Sequence, residues 1–273
     1  LNTVFVDTPG GNNSQNDEHE AMMDEAITDE NKSLILYVFN GAQLGTNDSN
    51  IILQKIANSM RNSSNGKQSR DRFLFVANRM DEFDVSEEPY EEVIENTILP
   101  QLASNGITEP NLFLASAQTA KLIRMVENGE ELSETEEEDM EKLVKRFNRQ
   151  TRMLPKYASL NLSDKERLIE SAERYALAGK EADSMKEAER NKHKAAEINS
   201  GIPAIEMAIK EYLEKYAIAI KIKTVHDTFM KKVIERNMID NCEAKWAQSK
   251  ESFDAVKKEL QEKRDKCDHN EKL

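Results

Sequence analysis

The sequence predicts an α/β domain of the doubly wound kind, with a mostly parallel sheet, followed by a helical insertion and a C-terminal helical segment. Up to Thr119, four short apolar runs are separated by stretches of helical periodicity. Near-continuous rather than alternating hydrophobicity marks strands buried on both faces, as in a parallel sheet covered by helices. Beyond Thr119 the strand signal stops. Charged residues make up 33% of the chain against 38% hydrophobic, with six Pro and nine Gly, a balance that suits long solvated helices. The 273 residues exceed the length of a common single domain, about 100–200 residues.

The apolar runs are 1–7, 33–40, 72–78 and 111–115, and helical patterns fall at 19–28, 49–59 and 87–102. From Glu127 to Glu141 acidic residues are dense; this reads as a solvated loop and the acidic first turn of a helix, where carboxylates suit the positive end of the dipole. Ser163-Asp164-Lys165-Glu166 has the capping-box pattern and opens a polar helical stretch towards Asn199, with a break expected near Gly179. Asn199-Ser200-Gly201-Ile202-Pro203 ends that stretch. Pro203 suits the start of a helix, and Ile202, Ile205, Ile209 and Leu213 give the new helix one apolar face for the sheet. From Ala217 onwards Ile218, Ile222, Val225, Phe229 and Val233, then Ile239, Cys242, Trp246, Phe253, Val256 and Leu260, form helical stripes. Such stripes are expected to bury against neighbouring helices, as in a neck or stalk segment.

A net charge of −13 argues against sequence-independent nucleic-acid binding, which needs Lys and Arg to displace phosphate counterions. Between Lys210 and Arg236, seven Lys/Arg face four Asp/Glu; this mild excess reads as a solvated helix face rather than a lipid site. Cys242 and Cys267 read as reduced cytosolic thiols, and Cys267 with His269 supplies too few ligands for zinc. No apolar run approaches the roughly 18–20 residues that span a bilayer. The expected location is cytoplasmic, with any membrane role peripheral or contributed by sequence outside this chain.

In a parallel sheet, ligands bind beyond the carboxyl ends of the strands, and three motifs fall there. Asp7-Thr8-Pro9-Gly10 closes the first run and reads as the Mg²⁺ and γ-phosphate motif of a GTPase. Asp7 is expected to hold Mg²⁺ through a coordinated water, because Mg²⁺ keeps much of its hydration shell. Gly10 is expected to offer its N–H to the γ-phosphate, with no side chain to prevent close approach. Loss of that phosphate would release the following residues, 11–20. Asn78-Arg79-Met80-Asp81 closes the third run and fits the guanine-reading N-K-x-D pattern with Arg in place of Lys. Asp81 can accept from both N1–H and the 2-amino group of guanine, an edge that adenine does not present. Asn78 would bind the base edge and tie neighbouring loops together, and Arg79 would lay its stem and planar head over the base. After the fourth run, Ala115-Ser116-Ala117 fits the last nucleotide loop, with the Ala117 N–H expected to reach guanine O6.

Each motif alone also fits a strand-end turn or a helix cap. Three in this order imply GTP or GDP with Mg²⁺. A phosphate-cradling G-x-x-x-x-G-K-[ST] should precede them, and this sequence opens at Leu1, inside the first run, without one. The catalytic residues are therefore expected upstream of Leu1 and the sheet is expected to be incomplete. The chain by itself is expected to be inactive, poorly stable and weak in GTP binding.

With these motifs placed, the chain resembles the dynamin superfamily, especially the bacterial-type dynamin-like GTPases. Beyond the shared GTPase motifs, the resemblance rests on Gln43-Leu44-Gly45-Thr46, on Phe113-Leu114-Ala115-Ser116-Ala117-Gln118, and on Gly201-Ile202-Pro203-Ala204-Ile205-Glu206 before a long helix. It covers residues 1–120 and 200–235; the insertion and the tail after Asn237 match only in being helical. It implies a P-loop GTPase-type fold in which residues 1–121 are the C-terminal part of the GTPase domain. Residues 122–199 would be a helical insertion, 200–216 the closing helix and 217–273 the neck or stalk. It further implies GTP hydrolysis stimulated by GTPase-domain dimerisation, homo-oligomers through that domain and the stalk, and membrane remodelling or tethering. No lipid-inserting paddle or transmembrane hairpin is recognisable. Two alternatives remain open: a translation-type GTPase, which would carry a basic RNA-binding module, and a degenerate GTPase-like domain serving as a helical scaffold.

Overall fold

β1 (Ile35–Asn40), β2 (Phe73–Asn78) and β3 (Asn111–Leu114) pair in parallel in that order. They belong to a computed structural model of the chain that describes residues 5–7, 23–24, 26–28, 34–41, 43, 47–62, 70–84, 89–149, 152–235 and 238–270. Ile35 stands opposite Phe73 and Asn40 opposite Asn78, while Leu74 stands opposite Asn111 and Ala77 opposite Leu114. The result is a mixed α/β chain, mostly helical, with a small parallel sheet.

In chain order the helices are α1 (Asn47–Asn62), α2 (Tyr90–Val93), α3 (Leu99–Ser104), α4 (Ala117–Glu127), α5 (Glu134–Phe147), α6 (Leu162–Glu181), α7 (Met185–Asn199), α8 (Ile202–Glu235) and α9 (Met238–Asn270). One π-helical turn, Ile94–Ile98, joins α2 to α3. Pro100 has no N–H to give the carbonyl of Asn96 and its ring crowds that oxygen, so the ladder widens just before it.

Successive side chains of a strand point to opposite faces, and both faces of β2 and β3 are covered. Phe73, Phe75, Ala77, Leu112 and Leu114 enter one core cluster with Leu53 and Ile56 of α1, Leu102 of α3, Leu122 of α4 and Phe147 of α5. Leu74, Val76, Phe113 and Ala115 enter the other with Leu168 and Ala172 of α6, Ile198 of α7, and Ala204, Ile205 and Ala208 of α8. This two-sided burial is why the strands read as unbroken apolar runs. The expected face of α8 is present, with Ile205 buried and Ile202 and Ile209 packed beside it. The described part of the 19–28 helix joins the first cluster through Ile27, whose carbonyl accepts from Ser59 Oγ at 2.8 Å.

Three expectations are corrected. Phe5, Val6 and Asp7 form no strand and lie exposed, Phe5 and Val6 at 74%. An apolar run becomes a strand only where a neighbour satisfies its N–H and C=O groups, and among the described residues none pairs with it. Residues 1–4 lie outside the described residues. The cap of α6 is Asn161, whose Oδ1 accepts from Asp164 N–H at 2.9 Å, rather than Ser163, which sits inside the first turn. The break between α6 and α7 falls at Ala182, Asp183 and Ser184, not at Gly179. Gly179 is buried where a Cβ would lie 3.3 Å from Ala188 O and 3.4 Å from Asn191 Cβ, so it serves close helix packing. Asn161→Ala is expected to cost about 1 kcal/mol and Ser163→Ala within about 0.5 kcal/mol, as read from urea unfolding midpoints.

The chain divides into two compact units, Leu1–Ile218 and Ala219–Leu273. In the second, the apolar stripe is solvent-facing: Ile222, Val225 and Phe229 on α8, and Trp246, Phe253, Val256 and Leu260 on α9, are all exposed. Among the described residues of this unit, the expected burial of these stripes against other helices is not seen. Among the described residues no helix is long and apolar enough to cross a membrane.

Candidate functional site

Parallel pairing brings the carboxyl ends of β2 and β3 side by side, and the backbone continues the pairing into the loops. Ala115 N–H donates to Ala77 O at 2.8 Å and Met80 N–H to Ala115 O at 3.1 Å. Two side-chain bonds then cross between the loops. Asn78 Oδ1 accepts from Ala117 N–H at 3.0 Å, and Ser116 Oγ donates to Asp81 Oδ1 at 2.6 Å. Ser116 also caps α4, accepting from Thr119 N–H, and its Oγ lies 2.7 Å from Thr119 Oγ1. A hydroxyl has one proton; with that proton on the bond to Asp81, Thr119 is the donor in the second contact. Ser116 is fully buried and fully used.

Asp81 is thereby held through one carboxylate oxygen, with Oδ2 the oxygen that ligand donors can meet. Asn78, with Oδ1 committed to Ala117, has its Nδ2 as the donor end. The Ala117 N–H, expected to serve guanine O6, is engaged by Asn78 here, so a base oxygen would share it.

Arg79 carries a φ of 67°, in the left-handed region that costs a non-glycine residue about 1–2 kcal/mol. Its side chain is half-exposed and paired with Glu82. The surrounding bonds hold this turn in place. Tyr90 Oη donates to Met80 O at 2.9 Å, Arg146 donates to Asp81 O, and the buried Arg152 donates to Phe83 O at 2.7 Å and to Tyr90 Oη at 3.2 Å. Burial pushes the Tyr90 hydroxyl up, against the lowering effect of Arg152, which keeps it a donor. Tyr90, Arg146 and Arg152 were not legible as site residues, because they lie on other elements and fit no local motif.

The phosphate side is different. Asp7 is exposed and in no regular element, and Thr8, Pro9 and Gly10 lie outside the described residues. Among the described residues no group of three His, Cys, Asp or Glu stands together as a metal site. One isolated carboxylate does not fix Mg²⁺, so the residues described here do not by themselves fit the metal.

An ionic cluster ties α4 to α7 and α8. Arg124 donates to Glu197 Oε1 at 2.7 Å and to both oxygens of Glu206 at 2.7 and 3.0 Å, and Lys194 bonds Glu127 at 2.7 Å and Glu197 at 3.1 Å. Burial pushes the Glu197 carboxyl up, but the bonds and charges of Arg124 and Lys194 outweigh it and hold the group below its ordinary 4.5. Its contribution to stability is present above that value and is lost as pH falls through the lowered folded value.

Next to it, burial pushes the His193 imidazole below its ordinary 6.5, against the pull of Glu189 and Glu127. The unfolded chain then takes up its proton first, so stability declines as pH falls from 6.5 towards the folded value. His193→Gln is expected to flatten the loss of urea stability between about pH 7 and about pH 5; an unchanged slope would remove His193 from this role.

Comparison with protein-family models, curated proteins and solved structures finds no match for the chain.

Proposed function

We propose that this chain carries the guanine-reading loops of a dynamin-like GTPase, in which Asn78, Asp81, Ser116 and Ala117 hold the guanine of GTP or GDP. The observation that carries the reading is the pair of hydrogen bonds, Ser116 to Asp81 and Ala117 to Asn78, across two adjacent strand ends. Asp81, fixed at one oxygen, presents an anionic acceptor to N1–H and the 2-amino group of guanine. Asn78 Nδ2 can donate to a ring acceptor of the same base. Sites built to bond a substrate's N–H groups reject analogues that lack them, because buried polar groups are then left unpaired.

Mg²⁺, GTP hydrolysis and a P-loop GTPase-type sheet enter this proposal through the resemblance. So do cytoplasmic location, peripheral membrane contact and homo-oligomers through the GTPase domain and stalk. The exposed apolar stripes of α8 and α9 support the oligomeric part, and the net charge of −13 supports a role without nucleic acid. One observation favours the scaffold reading instead: Asp7 lies exposed, outside any strand. Calorimetric titration of the full chain with GDP and with ADP separates the two. A GDP affinity well above that for ADP supports base reading, and no binding of either leaves the scaffold.

A further inference from the structure

A glycine outside the expected nucleotide motifs packs its backbone against the end of β3, next to the base loop. Gly201 has a φ of 81°, and a Cβ built there would lie 2.0 Å from Leu114 O and 3.2 Å from Leu154 Cβ. Glycine alone lets the turn between α7 and α8 lie against the end of β3. At that point Ser200 O accepts from Ser116 N–H at 2.9 Å. The same Ser116 carries the hydroxyl that fixes Asp81. The turn is tied in its own right. Ser200 is fully buried with Oγ donating to Glu197 O at 2.6 Å, and Asn199 Nδ2 donates to Phe147 O at 2.7 Å. Glu197 is in turn bonded by Arg124 of α4, the helix that Ser116 caps.

We propose that the Ser200-Gly201 turn is a positioning element for guanine reading, through which α7 of the helical insertion regulates the base loop. A displacement of α7 carries the Ser200 carbonyl away from Ser116 N–H. The Ser116 backbone loosens, its hydroxyl no longer holds Asp81 at a fixed orientation, and recognition of the guanine 2-amino group weakens before the fold does. This rests on the guanine reading above. Gly201 and Ser200 touch no ligand in this scheme and act through Ser116.

The test uses the full chain with Gly201→Ala, below the unfolding temperature of both proteins. Affinities for GDP and for inosine diphosphate, which lacks the 2-amino group, are compared by calorimetry, and exchange of the Ser116 amide is followed by NMR. The ratio of the two affinities is expected to fall on the order of tenfold and the Ser116 amide to exchange at least about tenfold faster. A changed folded fraction would alter both affinities equally and leave the ratio alone. An unchanged ratio with a still-protected Ser116 amide overturns the proposal. If the unaltered chain shows no preference for GDP, the guanine reading fails separately, and the amide still decides the positioning. Fast Ser116 exchange in the unaltered chain overturns it, and slow exchange made fast by the substitution upholds it. Should Gly201→Ala not fold, Arg124→Gln releases Glu197 from α4 without straining the turn. The same two readouts are expected to move in the same direction, and no movement in either overturns the proposal.

Discussion

Asp81→Asn is expected to lower the affinity of the chain for GDP by roughly a hundredfold and to improve binding of xanthosine diphosphate. The carboxylate accepts from two neighbouring donors of guanine; an amide turns an N–H towards one of them and leaves that donor unpaired, and each such loss costs about 1–3 kcal/mol. Xanthine carries an oxygen in place of the 2-amino group, which the new N–H can meet. The loop itself should survive, because an asparagine oxygen can still accept the 2.6 Å bond from Ser116 Oγ. Circular dichroism and the unfolding midpoint are therefore expected to stay near those of the unaltered chain. An unchanged GDP affinity in a folded variant would sink the guanine assignment.

Phe75→Ala carries the largest expected effect on stability, a loss of about 3–5 kcal/mol. Phe75 lies fully buried on β2, between β1 and β3, with its ring 6.2 Å from that of Tyr37 in an edge-on arrangement. Removal takes away burial and leaves a cavity at the middle of the sheet that its neighbours fill only in part. Against a typical net stability of about 5–15 kcal/mol, this is roughly a fifth of the total or more. Leu177→Ala on α6, a residue 54% exposed and outside the α8 and α9 stripes, is the control, with an expected change within about 0.5 kcal/mol. Urea denaturation of both variants measures the contrast, and equal losses would contradict the core described here.

β2 and β3 were legible to within a few residues because each is buried on both faces, which writes an unbroken apolar run into the sequence; β1 carries such a run as well, although Val38 is 56% exposed. The run ending at Asp7 reads the same way and forms no strand over residues 5–7, since composition records an apolar segment but not whether a neighbour is there to pair with it. Gly179 shows a similar ambiguity. A glycine in a helical pattern can mark a break or a close contact, and only its neighbours Ala188 and Asn191 decide for contact. At the site, Asn78, Asp81, Ser116 and Ala117 were legible because each closes a strand in a short local motif. The bonds between the two loops follow from strand adjacency. Ser200 and Arg152 were not legible, because their contacts to Ser116 and Phe83 span 84 and 69 residues of sequence, and no local pattern encodes such a pairing. The exposed stripes of α8 and α9 were legible as stripes, while their exposure depends on what else is present to cover them.

The most direct measurement is an amide NMR titration of the isotopically labelled full chain with GDP, repeated with ADP. Guanine reading by these loops predicts that GDP shifts the resonances of Asn78, Asp81, Ser116 and Ala117 in a saturable way and that ADP at the same concentrations leaves them in place. Equal shifts with both nucleotides, or GDP shifts confined to residues away from the ends of β2 and β3, would contradict it.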